Sequence, residues 1–380
     1  MKDDLRVRAG TTWYIWLCAI AVTCSGVGSA WDISWHKSIG RDTFWTAPHI
    51  LIYLCGVIAG LTSGYMILDA TFRRDSPLRK LSVSVWGFRG PLGAFLCAWG
   101  GIAMITSAPF DNWWHNAYGL DVKVLSPPHV VLALGMLAIR LGTLLLIAAQ
   151  VARGNGGATA TLKGLLLYSF ASILALSIGM FQELTIRPYM HSGLYYLVAA
   201  IAVPVWFAVI GMVVPHRWAC TWVAVIYTLY LASFIWILPL FEASPKLGPV
   251  FQTVTRFVPP DFPMMLLVSA VAMDLVRHRF RDRSKWLQAA VGGAAFLLTF
   301  IAVQWPFANF LQSPASRNWM FGTQHVPFFV PSSSDYVRYA FTSLEQGAEF
   351  WWKMACAFGV AIVMTRVGLT WGNAVRRLQR

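Results

Sequence analysis

The chain is poor in charge. Asp, Glu, Lys and Arg make up 12% of its 380 residues, about half of what an ordinary soluble domain carries. That shortage excludes a soluble globular fold of this length. Cysteine is sparse and wrongly spaced for cysteine chemistry. The six (Cys18, Cys24, Cys55, Cys97, Cys220, Cys356) all fall in apolar runs, and none forms CxxC or CxxCH. A zinc ribbon, a c-type haem attachment and a disulfide framework are therefore excluded, and small apolar fillers are expected. No Walker A, GxSxG, HExxH or GxGxxG element stands in a usable context, which leaves phosphate cradles, nucleophile elbows and zincin sites without a basis. Acidic residues are few, 16 against 30 Lys and Arg, for a formal charge of +14. In a soluble chain that excess suggests nucleic acid. Here its distribution follows membrane topology, and no nucleic-acid partner is expected.

What the sequence has in abundance is apolar length. Hydrophobic residues make up 57% of the chain, with 19 Trp suited to an interfacial aromatic belt. Runs of about 20 apolar residues span a bilayer as helices. The pattern predicts an all-α, polytopic integral membrane bundle, one transmembrane domain over 1–380. Ten spans are expected, near 12–31, 48–69, 90–108, 128–151, 161–180, 192–214, 218–240, 262–276, 286–305 and 350–370. Residues 306–349, rich in Pro, Ser and aromatics, form the longest connection. The first run has a "VGSA" that resembles a signal cleavage site. Its length, with Asp3 and Asp4 ahead of it, favours a retained span.

Lys and Arg choose the orientation. With the N-terminus in the cytoplasm, inside segments hold about 20 of the 30 basic residues, including Arg73, Arg74, Arg79, Arg277, Arg279, Arg281 and Arg283. Both termini are then cytoplasmic, as in a bacterial inner-membrane protein. The opposite, periplasmic edge collects His36, His49, His115, His129, His191 and His325, six of the eight histidines, together with most of the acidic residues. The positive-inside rule does not account for that collection.

Two stretches on that edge repeat one another. "WDISWHKSIGRDTFWTAPHILIYLCG" and "FDNWWHNAYGLDVKVLSPPHVVLALG" share aromatic–Asp–x–x–Trp–His, then Gly, then x–Asp, then Pro–His and an apolar helix. Asp32, Trp35, His36, Gly40 and Asp42 match Asp111, Trp114, His115, Gly119 and Asp121 without a gap. His49 and His129 match after a one-residue insertion. Agreement at rare residue types points to duplication of a two-helix unit, over 12–69 and 90–151. The third and fourth hairpins keep faint echoes, at Glu183 with His191 and at Glu242 with Asp261.

The repeated residues suit a metal. Asp32 and His36, four apart, share a helix face if the first span continues through them. Pro48 suits the first turn of the returning helix and fixes where His49 points. Two imidazoles and a carboxylate from two packed helices make a three-point site for copper, zinc or non-haem iron. The candidate ligands are Asp32, His36 and His49 in the first copy, and Asp111, His115 and His129 in the second. Arg41, Asp42 and Asp121 are candidates to orient those ligands. The plainer alternative is that the Asp residues cap helices and the Trp residues anchor the interface.

The first copy resembles the C subunit of the copper membrane monooxygenases, the particulate methane and ammonia monooxygenase family. The similarity rests on Asp–x3–His–x12–His at Asp32, His36 and His49, with Arg41–Asp42–Thr43, Phe44, Thr46, Pro48 and Tyr53 at matching places. It covers about 25 residues. It implies a copper site at Asp32, His36 and His49, partner membrane subunits, and oxidation of a small apolar substrate with dioxygen. The second copy lacks Arg–Asp–Thr and has 13 residues rather than 12 between its histidines.

Other residues are read individually. Arg140, in the middle of the fourth span, is expected to find a structural partner inside the bundle. Asp69 and Asp274, near inside helix ends, are expected in water. His216 and His278 are read as surface residues, and His325 as a loop residue or a lid. The functional expectation is a copper-dependent oxidoreductase or a subunit of one, with other membrane subunits or as a homo-oligomer. Two alternatives stand beside it: a copper-handling or transport protein, and a haem protein with His49 and His129 as axial ligands.

Overall fold

The structure is a computed structural model and describes residues 12–40, 42–119, 126–153, 160–185, 189–246, 254–322 and 345–378. The described chain is almost entirely helical. Its α-helices are α1 (Trp13–Ser38), α2 (Ala47–Phe72), α3 (Leu92–Tyr118), α4 (Pro127–Arg153), α5 (Ala160–Gly179), α6 (Gln182–Thr185), α7 (Gly193–Ala202), α8 (Pro204–Val213), α9 (Ala219–Ile237), α10 (Leu267–Phe280), α11 (Lys285–Gln312) and α12 (Gly347–Leu378). Nine spans among the described residues are long and apolar enough to cross a membrane, with α7 and α8 together making one of them. Residues 1–11, Arg41, Asp121 and the stretch 323–344 that contains His325 lie outside the described residues.

The contacts divide the chain into two compact units. One holds Met1–Ser29, Thr43–Ile173 and Val375–Arg380, and the other Ala30–Asp42 and Leu174–Ala374. In the first unit α3 packs on α4 through small residues. A Cβ on Gly100 would lie 2.6 Å from the Gly135 carbonyl oxygen, so only glycine permits this approach, as is usual where helices meet without water to drive them together. At Gly28 a Cβ would lie 2.8 Å from Ile52 Cγ1, which fixes α1 close to the start of α2.

The second unit is built around rings. Tyr195 stacks on Phe300 at 6.2 Å and Phe296 on Phe300 at 5.7 Å, and all three are fully buried. Asp274 of α10 is not in water as expected. It is fully buried and accepts the N–H groups of Cys220 (3.2 Å) and Thr221 (2.9 Å) and the Thr221 hydroxyl (2.8 Å). These belong to the first turn of α9, whose own N-cap position, Trp218, supplies no acceptor. A carboxylate from a neighbouring helix thus satisfies the orphan donors and meets the positive end of the dipole.

Several boundaries differ from the sequence pattern: α1, α3 and α12 run on to Ser38, Tyr118 and Leu378, past the expected 31, 108 and 370, and two further cases have a clear cause. The span expected over 262–276 is the 14-residue helix Leu267–Phe280. Pro259, Pro260 and Pro263 keep the preceding residues out of helix, and the buried Gln304 side chain accepts the Met265 N–H at 3.0 Å instead. Conversely, α11 runs through Pro306 to Gln312, into the stretch read as a connection. Phe307 packs there on Phe262 (5.4 Å), Phe310 (6.1 Å) and Phe321 (6.0 Å), contacts that offset one lost helix bond. A short hairpin, β1 (Val83–Val85) with β2 (Phe88–Gly90), fills the turn between α2 and α3. Trp86 and Gly87 both take positive φ at its tip, as a two-residue hairpin turn requires.

Candidate metal centres

The last two turns of α1 carry the first candidate centre, within the second unit. Residues 34 and 38 lie roughly opposite 32 and 36 on a helix of about 3.6 residues per turn. Ser34 donates to the Val258 carbonyl at 2.6 Å, and Ser38 accepts the Val258 N–H at 2.7 Å. Trp35 packs on Phe257 at 6.2 Å. The serine face is thereby pinned to the chain at 257–258, and the face bearing Asp32 and His36 is turned the other way.

The helix then ends on Gly40, whose φ is +107°. Non-glycine residues rarely adopt that backbone, and it returns the chain so that Asp42 reaches back to His36. The His36 Nε2 lies 3.8 Å from Asp32 Oδ2 and 3.4 Å from Asp42 Oδ2. One ligand atom from each of the three falls within 4.8 Å of the others. Two ligands of one ion at about 2 Å are at most about 4 Å apart, so the spacing needs little closing. The donors are one imidazole and two carboxylates, a set that accepts Cu(II), zinc or non-haem iron. His36 is half exposed, and Asp42 only 14% exposed. Asp42, read from sequence as an orienting residue, here presents an oxygen to the same point as the expected ligands.

His49 belongs to the first unit, in the first turn of α2 as Pro48 suggested. The turn before it is tied by Thr46, whose hydroxyl accepts the Thr43 N–H at 2.7 Å and donates to the Thr43 carbonyl at 2.7 Å. Tyr53 donates to the Phe44 carbonyl at 3.1 Å. The His49 Nδ1 is 3.0 Å from the Thr43 carbonyl. A carbonyl only accepts, so the proton is on Nδ1.

In the second copy the described residues bring Asp111, His115 and His129 together. Asp111 and His115 sit on the last turns of α3, and His129 on the first turn of α4. His115 Nε2 is 3.4 Å from Asp111 Oδ2, and His129 Nε2 is 3.4 Å from Asp111 Oδ1. One carboxylate therefore sits between two imidazoles. The His115 Nδ1 is 3.3 Å from the Gly119 carbonyl, so both ring nitrogens stand beside acceptor oxygens. Gly119, at φ +89°, ends the helix. Rings of Trp114 and Tyr118, 4.5 Å apart, crowd the same turn.

The positive φ at both repeat glycines is what the sequence comparison left unexplained. Gly40 and Gly119 both take the backbone that favours glycine, directly after a histidine-bearing helical turn.

The remaining candidates are more ordinary. His191 lies 2.8 Å from Asn309 Oδ1 and against the Trp305 ring at 4.8 Å. His278 donates to the Arg217 carbonyl at 2.8 Å, and His216 accepts the Trp218 N–H at 3.0 Å. No protein-family model, curated protein or solved structure matches the chain.

Proposed function

We propose that this chain is a membrane metalloprotein that binds copper and serves as an oxidoreductase, or as a subunit of a copper-dependent monooxygenase-like complex. The observation that carries the reading is the convergence of Asp32, His36 and Asp42 on one point. The donor set alone also accepts zinc and non-haem iron. The resemblance of residues 32–53 to a copper monooxygenase subunit selects copper. The distribution of basic residues supports a position of the sites on the periplasmic side of an inner membrane.

Bound copper supplies one-electron redox chemistry and activation of dioxygen. The chain's own residues have separate tasks. Asp32 and Asp42 offset the charge of a divalent ion beside the imidazole of His36. Gly40 sets the return that brings Asp42 in. The Nδ1–H bond to Thr43 holds the His49 ring in one tautomer. Lipid and aromatic side chains around the helix ends suit a small apolar substrate.

Metal analysis of the purified protein is the test. The expected result is near-stoichiometric copper, with a Cu(II) resonance after oxidation and no haem absorption. His36→Ala should lower the copper content, while His278→Ala should not. Copper-free protein from copper-replete cells, or equal copper in wild type and His36→Ala, would sink the proposal.

A further inference from the structure

The hairpin between α2 and α3, within the first unit, is amphipathic. Its register pairs Val83 with Gly90, Ser84 with Arg89 and Val85 with Phe88. Side chains alternate along a strand, so Val83, Val85 and Phe88 share one face, and Ser84 and Arg89 share the other. Val83 and Phe88 are exposed. At the tip Trp86 is 82% exposed, and it is the one non-glycine residue with positive φ among the described residues, at +50°. Asn or Asp is the usual choice at that turn position, and so exposed a ring gains little burial to offset the strain. The hairpin is nevertheless held in place. The Arg89 N–H donates to the Thr71 hydroxyl of α2 at 2.8 Å, and a Cβ on Gly90 would lie 3.0 Å from Ile67 Cγ1. The Trp86 ring lies 5.6 Å from that of Trp99. Trp99 is seven residues into α3, about 10 Å along the helix. It heads a stripe of exposed side chains that continues through Ile102 and Ile105. The tip thus folds back along a helix long and apolar enough to cross a membrane.

The same connection carries cations without counter-charge. Arg74, Lys80 and Arg89 are exposed, and no carboxylate among the described residues pairs with them. The two acidic residues of this region are engaged elsewhere. Asp69 meets Arg73 at 3.6 Å and the Ser76 hydroxyl, and Asp75 meets Arg73 at 3.1 Å. An apolar face, an aromatic tip and a cationic rim at the end of a membrane span match the boundary between headgroups and acyl chains. We propose that the hairpin 83–90 is a lipid-binding element. Trp86 and the face of Val83, Val85 and Phe88 enter the bilayer interface beside α3, while Arg74, Lys80 and Arg89 bind the phosphates of anionic phospholipids. Lipid is the occupant because Trp86 rests on the stripe of α3 that meets acyl chains, and because the rim is positive. The proposal rests on α2 and α3 crossing a membrane and is independent of the metal centres.

The test uses the full-length protein, labelled with fluorotryptophan, in nanodiscs of phosphatidylcholine with increasing phosphatidylglycerol. The fluorine resonance lost in Trp86→Phe belongs to Trp86, and the one lost in Trp99→Phe to Trp99. A nitroxide on the lipid acyl chains should broaden the Trp86 signal, and a water-soluble gadolinium chelate should not. Phosphatidylglycerol should shift the signal saturably. Arg74→Gln, Lys80→Gln and Arg89→Gln together should weaken that response at least roughly tenfold. Arg74→Lys with Arg89→Lys should keep it, since the charge remains. Broadening by the chelate alone would leave the hairpin in water and overturn the proposal. Broadening by neither agent would mean that a protein partner or a second copy covers the face, and would overturn it too. A lipid response unchanged in the triple Gln variant would remove the headgroup site. Trp99 separates the underlying reading from the proposal. If the lipid nitroxide broadens Trp99 but spares Trp86, the hairpin proposal alone fails. If it spares both, the membrane placement of α3 fails with it.

Discussion

The two copies of the Asp–Trp–His motif begin alike and end differently. In each, an Asp and a His four residues apart share the last turns of a helix, and a glycine with positive φ follows. In the first copy the third group to reach the histidine is Asp42, from the returning chain. In the second, among the described residues, it is His129, from the next helix, and it reaches the aspartate instead. One trio is two carboxylates around an imidazole, and the other is two imidazoles around a carboxylate. The more acidic trio suits a divalent ion by charge, while its histidine is the more exposed, 50% against 21% for His115.

The comparison can be broken most sharply by removing the residue at the centre of each trio. His36→Ala should cost the first site its metal outright, and Asp111→Ala should do the same at the second. Copper per chain, measured for each variant and for the double variant, reads whether the losses add. If Asp111→Ala leaves copper unchanged while His36→Ala removes it all, the second trio is a protonated His–Asp cluster and no metal site.

A smaller change tests the third member. Asp42→Asn keeps the shape but removes a charge, and it should weaken the first site at least roughly tenfold, the scale of lost supporting ligands. Competition with a chelator of known affinity measures it. An unchanged affinity would return Asp42 to an orienting role.

Acidification should release metal from both sites, because an imidazole must be unprotonated to ligate. The loss should be steeper with falling pH at the second site, where two imidazoles compete with protons, than at the first, where one does. Metal retention against pH in His36→Ala and Asp111→Ala, each with one trio left, gives the two slopes. Equal slopes would contradict the assigned donor sets.

The smallest effect is expected at the glycines. Gly40→Ala and Gly119→Ala each force a side chain into a backbone region that costs about 1–3 kcal/mol. Both should lower the unfolding midpoint. Only Gly40→Ala should also weaken metal binding, since Gly40 brings a ligand back to its own helix. Affinity and midpoint measured together separate the two.

Much of this was legible from sequence. Apolar length places α2, α4, α5 and α9 within a few residues, and finds α1, α3, α11 and α12 but stops about seven to ten residues short of their ends. The four-residue spacing puts Asp32 with His36, and Asp111 with His115. The failures have definite causes. The eighth span starts late because three prolines withhold helical backbone and Gln304, 39 residues downstream of Met265, takes the N–H instead. Helix α11 outlasts Pro306 because Phe307 finds Phe262 and Phe321, which no local pattern announces. Asp274 looked solvated because its position in a basic helix end carries no sign of the α9 terminus that it caps.

The sequence by itself determined that the chain is helical and apolar enough to cross a membrane, because hydrophobic length is a property of consecutive residues. It also determined which turns carry Asp and His together, because helical spacing is local. Only the tertiary structure decided that Asp42 rather than an orienting position is what faces His36, that Asp111 sits between two imidazoles, and that Arg140 meets no carboxylate among the described residues. Those three facts depend on a reversal at a glycine and on which helix packs against which, and neither is written in the spacing of residues along one helix.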